Sequence, residues 1–260
     1  MTKVGILGCM GRMGQALTLA VEACDDLTLV IGSERAGHAA IGGLIPSTHA
    51  VVVGSADEVF AAADLVIDFT PPGNTAVHAH LAAKTQTKLI VGTTGLASQD
   101  IAALDTAAGE TAIMQAGNYS LGVNMLMALT QQAAAKLGAD WDIEIVEMHH
   151  RHKVDAPSGT ALMLGEAAAD GRGVALDDLR TPAREGITGE RTEGSIGFAA
   201  LRGGSVIGEH SVILASGSER ITLSHRAENR ALFADGAVRA AVWLQDKETG
   251  RYSIQDVLGL

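Results

Sequence analysis

The chain opens on a short apolar strand, Val4 to Leu7, which runs straight into Gly8-Cys9-Met10-Gly11-Arg12-Met13-Gly14. A helical apolar pattern follows at once, through Ala16, Leu17, Leu19, Ala20 and Val21. No other stretch restricts the fold so tightly. A strand, a glycine-rich turn and a helix in that order make a dinucleotide-binding opening. The turn must be tight, its backbone must approach a pyrophosphate, and the helix must pack closely on the strand. The spacing is GxxGxxG rather than GxGxxG, with the same physical demands.

The pattern repeats down the first half. Strands are expected at Leu27 to Ile31, Ala50 to Val53, Leu65 to Phe69, Lys88 to Val91 and Ala112 to Gln115. Helices are expected near Ala56 to Ala63, Asn74 to Lys84, Gln99 to Ala108 and Val123 to Lys136, with Ala36 to His49 as a surface loop. Such alternation predicts an α/β fold, a Rossmann-like doubly wound parallel sheet. Ligands of these sheets sit beyond the carboxyl ends of the strands. The second strand ends at Gly32-Ser33-Glu34-Arg35, about twenty residues past the last fingerprint glycine. There Glu34 suits the ribose hydroxyls of NAD and Arg35 the 2′-phosphate of NADP, an adjacent pair that accommodates either cofactor. Gly92, Thr93 and Thr94 are expected near the nicotinamide, and Ala116-Gly117-Asn118-Tyr119 forms the next strand end.

From Trp141 the character changes. An alternating strand through Ile143 and Ile145 leads into His149, His150, His152 and Lys153, and then through Asp155-Ala156-Pro157 into Ser158-Gly159-Thr160 and an apolar helix. Ser158 or Thr160 is a natural cap, and the unpaired amides of such a helix start bind anions. Titratable cations beside an anion-binding helix start are what a small carboxylate substrate requires. A polar run, Asp177 to Gly194, follows as a mobile loop. Strand-like pieces then come at Ser195 to Leu201, Ser205 to Ala215 and Glu219 to Ala227, with Arg202-Gly203-Gly204 and Ser216-Gly217-Ser218 reading as hairpin turns. These pieces give a second α+β domain with an open mixed sheet. A last helix, Phe233 to Leu244, returns to the first domain. The expected domains are 1–120 plus 231–260, for the dinucleotide, and 121–230, for substrate binding and oligomerisation.

Charge narrows the function classes. The chain has 260 residues and a formal net charge of −11, with no Lys/Arg block, which argues against nucleic acid or an anionic membrane as the main ligand. Cys9 and Cys24 are the only cysteines, in keeping with a reducing compartment. No apolar run is long enough for a membrane helix and no secretory signal opens the chain, so a cytoplasmic protein is expected.

The run Glu147-Met148-His149-His150-Arg151-His152-Lys153-Val154-Asp155-Ala156-Pro157-Ser158-Gly159-Thr160-Ala161 carries a resemblance. With the Gly8 to Gly14 opening, the Gly92-Thr93-Thr94-Gly95 turn and Asn118-Tyr119-Ser120, the chain resembles the 4-hydroxy-tetrahydrodipicolinate reductases, or dihydrodipicolinate reductases, of bacterial lysine and diaminopimelate biosynthesis. The match covers almost the whole chain. It implies reduction of a cyclic imine dicarboxylate by NADPH or NADH and assembly as a homotetramer through the second-domain sheets. His149 matches the family's proton donor/acceptor and Lys153 its second catalytic group, the proton donor. His150 matches a substrate contact, and Gly159 and Thr160 the holders of a substrate carboxylate. On the cofactor side the resemblance covers Gly8, Cys9, Met10, Gly11, Arg12 and Met13 at the pyrophosphate, and Glu34 and Arg35 at the adenosine. It continues with Gly92, Thr93 and Thr94 at the nicotinamide side and Ala116, Gly117, Asn118 and Tyr119 at the next strand end.

The chemistry is consistent with this on its own terms. Hydride added to the β-carbon of an α,β-unsaturated imine leaves an enamine that must be protonated on the neighbouring carbon. A histidine suits that transfer, and a nearby ammonium stabilises the charge that develops. Two other classes compete. A dinucleotide-sensing regulator needs the fingerprint but not the His/Lys cluster, and a related amino-acid dehydrogenase lacks the HHRHKVDAPSGT run. No metal is expected, since His149 and His150 point to opposite faces of a strand and no cysteine or HExxH acid completes a ligand set. Strand periodicity explains His210 and His225 as well as function does.

Overall fold

A computed structural model describes residues 1–181 and 183–260 and divides the chain into two units, Met1–Leu121 with Ala231–Leu260, and Gly122–Arg230. In chain order the elements are β1 (Thr2–Leu7), α1 (Arg12–Glu22), β2 (Leu27–Ser33), β3 (Val51–Val53), α2 (Ala56–Ala62), β4 (Leu65–Asp68), α3 (Thr75–Thr85), β5 (Lys88–Val91), α4 (Ser98–Ala107) and β6 (Ala112–Gln115). They continue as α5 (Leu121–Lys136), β7 (Asp142–His149), α6 (Gly159–Gly171), α7 (Leu176–Leu179), β8 (Arg180–Thr181), β9 (Ile196–Arg202), β10 (Glu209–Ala215) and β11 (Arg220–Arg226). The chain ends in α8 (Leu232–Leu244), β12 (Gly250–Tyr252) and α9 (Ile254–Leu258).

The first unit is a seven-stranded sheet in the order β12-β6-β5-β4-β1-β2-β3, and every pairing in it is parallel. The apolar strands are buried on both faces, as parallel sheets require. Val4 and Ile6 pack with Leu17 and Val21 of α1, Ala237 and Ala241 of α8 and Ile254 of α9. Leu7, Val66 and Leu89 pack on the other side with Phe60 of α2, Leu81 of α3 and Leu104 of α4. The strand order reverses between β1 and β4, the place where such sheets open a ligand crevice. The 36–49 stretch departs from a plain surface loop at Ile45, which is buried in the first of these cores. Ile41, Leu44 and Ile45 fall at helical spacing, but Gly42, Gly43 and Pro46 interrupt them, so patterning reads a loop and does not mark which of the three is buried. The edge strand β12 and α9 also escape a pattern reading, being only three and five residues long. Lys88 fixes the end of α8 by donating from Nζ to the carbonyls of Leu244, Gln245 and Lys247 at 3.1, 2.5 and 2.9 Å.

The second unit is a five-stranded mixed sheet in the order β11-β10-β7-β9-β8. β10 and β11 form the antiparallel hairpin expected around Ser216-Gly217-Ser218. The turn expected at Arg202-Gly203-Gly204 is not a hairpin. β9 runs parallel to β7 along one edge and β10 antiparallel along the other, so the chain must cross from one side of β7 to the other. β7 alternates buried and part-exposed residues along its whole length, and a central place lets both its edges be paired. Its buried side, with Ile143 and Ile145, packs on Ala161, Leu164 and Ala168 of α6 and Leu126 of α5. The opposite side of the sheet carries Val146, Met148, Leu201 and Ile213, none fully buried.

The polar run 177–194 contains part of α7 and all of β8, and its arginines are tied down. Arg184 Nη2 lies 2.8 Å and Arg191 Nε 3.0 Å from Glu144 Oε1, and Arg191 Nη1 lies 2.7 Å from Asp142 Oδ1. Burial alone would raise the Glu144 carboxyl, but the two guanidinium groups outweigh it and the net shift is downward. Pro182, within that run, lies outside the described residues.

Candidate active site

In the first unit every strand-end segment singled out from the sequence emerges from the same end of one parallel sheet. Gly8 takes φ +68°, which opens the turn after β1. A Cβ at Gly14 would lie 2.2 Å from the Gly8 carbonyl oxygen, so α1 starts this close to β1 only because residue 14 has no side chain. The Gly8 and Cys9 amides are taken by Ser33 O at 2.9 and 3.2 Å, and Gly11 N–H by Gly8 O at 3.1 Å. Helix geometry leaves the Arg12 and Met13 amides without an intrahelical acceptor, and Gly11 provides no side-chain cap. They form a ready anion site. The Cys9 side chain is fully buried, and burial, then Glu34, pushes its thiol up to about 11, so this residue offers only backbone to a ligand.

Glu34 is already engaged. Its Oε1 accepts the Met10 N–H at 2.9 Å, which ties the end of β2 to the glycine loop, while Arg35 beside it is exposed. The ends of β4 and β5 are linked through Thr93, which the sequence singled out, and β4 is tied to α3 through Asp68 and His78, which it did not. Buried Asp68 accepts the Thr70 N–H at 2.9 Å and pairs with His78 Nδ1 at 2.7 Å, and Thr93 Oγ1 donates to Thr70 O at 2.9 Å. A Cβ at Gly92 would lie 2.4 Å from the Phe69 ring, whereas Thr94 is exposed. After β6, Gly117 is exposed, Ala116 and Asn118 are buried, and the Tyr119 hydroxyl donates to Val91 O at 3.0 Å.

The second unit holds the titratable cluster. The period of β7 puts Glu147 and His149 on its buried face, at 1% and 9% exposure. Glu147 Oε2 lies 2.6 Å from His149 Nδ1. Arg202, at the end of β9, grips the same carboxylate with two bonds, Nη1 to Oε2 at 2.7 Å and Nη2 to Oε1 at 2.8 Å. The Ser158 amide donates to Oε1 at 3.1 Å. Burial would raise the Glu147 carboxyl, but Arg202 and His149 reverse it, and the group is held below the ordinary carboxylate range. Gly203 N–H donates to His149 O at 2.9 Å, so the crossover segment extends the ladder over the site.

Ser158 caps α6 by accepting the Ala161 N–H at 3.1 Å, and the exposed Gly159 follows at the first helical position. Thr160 is half-buried in the same turn. Lys153 Nζ lies 2.9 Å from Asp155 Oδ1, and Lys153 N–H donates to His150 O at 3.1 Å. His150 lies off the buried face, its pKa lowered by desolvation and then by Arg230 and the neighbouring His149, His152 and Lys153. His152 is exposed. Three further residues belong here, Glu147, Arg202 and His210. Glu147 could have been found by the period-2 reasoning that separates His149 from His150, since it stands two positions before His149. His210, on the neighbouring strand, approaches the His149 ring edge-on at 5.1 Å between centroids, a cross-strand relation with no local signal. Among the described residues, no group of three or more His, Cys, Asp or Glu side chains is arranged to hold a metal ion.

Comparison with known proteins gives concordant results. The family model for the dihydrodipicolinate reductase N-terminus matches residues 2–119, and that for the C-terminus residues 122–258. A 4-hydroxy-tetrahydrodipicolinate reductase of Dinoroseobacter shibae is 53% identical over 261 residues, covering 98% of this chain and 97% of the relative. One from Rhizobium rhizogenes is 51% identical over 265 residues, covering 99% and 97%. Among solved structures, a dipicolinate-bound dihydrodipicolinate reductase from Paenisporosarcina sp. TG-14 superimposes with a TM-score of 0.79 over 97% of both chains at 23% identity, a likeness of fold.

Proposed function

The chain belongs to the dihydrodipicolinate reductase family, and from that premise we propose that it reduces 4-hydroxy-tetrahydrodipicolinate, by way of dihydrodipicolinate, to tetrahydrodipicolinate in lysine biosynthesis, with NADH or NADPH as reductant. The observation that carries the reading is the His149 ring held on a buried carboxylate beside Lys153 and the α6 helix start. A dinucleotide sensor needs none of these groups.

The residues after β1 and β2 fit a nicotinamide dinucleotide. The glycine turn packs α1 against β1 with no room for a Cβ at Gly14, the Arg12 and Met13 amides start the helix without a side-chain cap, and the Glu34 carboxylate and Arg35 guanidinium follow β2. Bound there, the cofactor supplies hydride. The protein's own part is the proton and the charge. His149 delivers a proton to the carbon next to the one reduced. Lys153 stabilises the negative charge that develops and pairs with a substrate carboxylate, to which Gly159 and Thr160 add helix-start donors and His150 a further contact. The Lys153–Asp155 pair is partly exposed, so exchanging Asp155 for a substrate carboxylate costs little. We also take the part-exposed apolar side of the second sheet, with Val146, Met148 and Leu201, as the contact surface of a homotetramer, and the cytoplasm as the site of reaction.

Optical measurement of NADPH and NADH oxidation tests the function, with the cyclic imine made in situ from pyruvate and aspartate semialdehyde by a condensing synthase. Rapid oxidation that depends on every component is expected. No oxidation of either cofactor, by folded protein that still binds the dinucleotide, would move the weight to the sensing role.

A further inference from the structure

We propose that Glu147 is a positioning residue that fixes His149 as the Nδ1–H tautomer, so that Nε2 is the nitrogen that handles the substrate proton. The proposal deepens the reductase reading and rests on it for the identity of the substrate, but not for the state of the ring.

Glu147 lies almost fully out of water, and its two oxygens together receive the two Arg202 bonds, the Ser158 amide and His149 Nδ1. An ionised carboxylate in that company only accepts, so the Nδ1 it meets at 2.6 Å must carry the hydrogen. A neutral ring then has a bare Nε2, and a charged ring has an Nε2–H to give away. The surroundings leave that nitrogen room. A Cβ at Gly208 would sit 3.0 Å from His149 Nε2 and 3.7 Å from His210 Cε1, so the absence of a side chain at 208 keeps the Nε2 edge open. The ionisable neighbours are Glu147 on the same strand, Arg202 on β9, His210 on β10, and Lys153 with Asp155 in the following loop.

The proton balance follows. The charged ring gives the Nε2 hydrogen to the enamine carbon, the electron pair of that carbon forms the new C–H bond, and the ring relaxes to the Nδ1–H form already bonded to Glu147. Solvent returns a proton to Nε2. No tautomer exchange and no ring flip are needed between turnovers, because Arg202 and the Ser158 amide hold the carboxylate still. Where a carboxylate sets the tautomer of a working imidazole, losing it lowers the rate by up to about 10⁴-fold.

The test uses full-length protein labelled with nitrogen-15 histidine, the His149 signals being identified by their loss in His149→Gln. The neutral ring of wild-type His149 should show a protonated Nδ1 and a bare Nε2. Glu147→Gln should populate the Nε2–H form and lower kcat by roughly 10²- to 10⁴-fold with KM changed less than about 3-fold. Gly208→Ala, which crowds Nε2 and leaves Nδ1 and Glu147 alone, should also lower kcat by roughly tenfold or more, and it keeps the proposal testable if Glu147→Gln does not fold. A wild-type His149 found as the Nε2–H tautomer overturns the proposal, and so does a Gly208→Ala enzyme of undiminished kcat. If wild-type protein oxidised neither cofactor, the reductase reading would fall while the nitrogen spectrum still decided the tautomer.

Discussion

Ser158 Oγ lies 2.9 Å from His210 Nε2, which joins the cap of α6 to a histidine that is 4% exposed. The hydroxyl oxygen has a second lone pair beside the one that accepts the Ala161 amide, and His210 Nδ1 is buried with no partner among the described residues, so the less costly tautomer leaves Nδ1 bare and lets Nε2–H donate to Ser158 Oγ. That arrangement suits a neutral ring, and the energetics agree. Burial, then the charge of His149, lowers the His210 pKa from 6.5 to about 4, with Glu147 opposing and His225 and Lys153 adding to the fall. Because the folded value lies below the unfolded one, the unfolded chain takes up the proton first as pH falls. The contribution of the neutral ring is complete above pH 6.5 and disappears as pH drops toward 4. On the order of 3 kcal/mol should be lost across that window. Urea denaturation at a series of pH values, compared with His210→Gln, checks it, and the variant should have a flatter acid limb. An identical limb would mean that His210 is not buried neutral.

Much of this was readable in the residues, and the losses have a physical pattern. The glycine opening and the parallel sheet are local signals: a run of apolar residues, a turn, a helix. A cap at Ser158 or Thr160 was equally plain, because capping acts over three residues, and Ser158 is the one that caps. What escaped were relations between strands distant in sequence. Arg202 reaches Glu147 across the β7–β9 ladder, and His210 reaches Ser158 from β10, both fixed by a strand order that puts β7 in the middle. Reading Arg202-Gly203-Gly204 as a hairpin turn would have placed β10 beside β9 and moved His210 away from the site.

Gly14 and Gly159 separate two uses of glycine. A Cβ at Gly14 would meet backbone atoms, Gly8 O at 2.2 Å and Cys9 Cα at 2.6 Å, whereas at Gly159 nothing lies within 4 Å. Gly14→Ala should therefore cost about 3 kcal/mol or more and abolish dinucleotide binding. Gly159→Ala should fold normally and appear only as a raised KM for the imine. Thermal denaturation and cofactor titration of both variants decide this, and equal stabilities would show that the α1–β1 contact yields more easily than its geometry implies.

The adenosine end predicts an asymmetry between neighbours. Arg35 is exposed and free to meet a 2′-phosphate, so Arg35→Ala should raise KM for NADPH by roughly tenfold and leave NADH within about 2-fold. Glu34 also anchors the Met10 amide, so Glu34→Ala should weaken both cofactors by loosening the pyrophosphate loop. Steady-state kinetics with each cofactor read the two effects. A Glu34→Ala enzyme impaired with NADH alone would confine that carboxylate to ribose recognition.

Lys153 and His152 are adjacent, and the structure treats them differently. Lys153 is half-buried, its ammonium is close to the site loop, and its partner Asp155 is the more exposed member of the pair. His152 is exposed and lies 6.3 Å between centroids from His150. A cation that stabilises charge formed only during reaction is worth far more than one bathed in water, so Lys153→Ala should lower kcat/KM by roughly 100- to 1000-fold. His152→Ala should stay within about 3-fold, as surface substitutions do. Lys153→Arg distinguishes charge from shape: it keeps the cation but presents a planar fork where the ammonium made compact contacts, and it should recover only part of the loss. Full recovery would reduce Lys153 to a fixed positive charge, and near-wild-type rates in Lys153→Ala would remove it from the chemistry altogether.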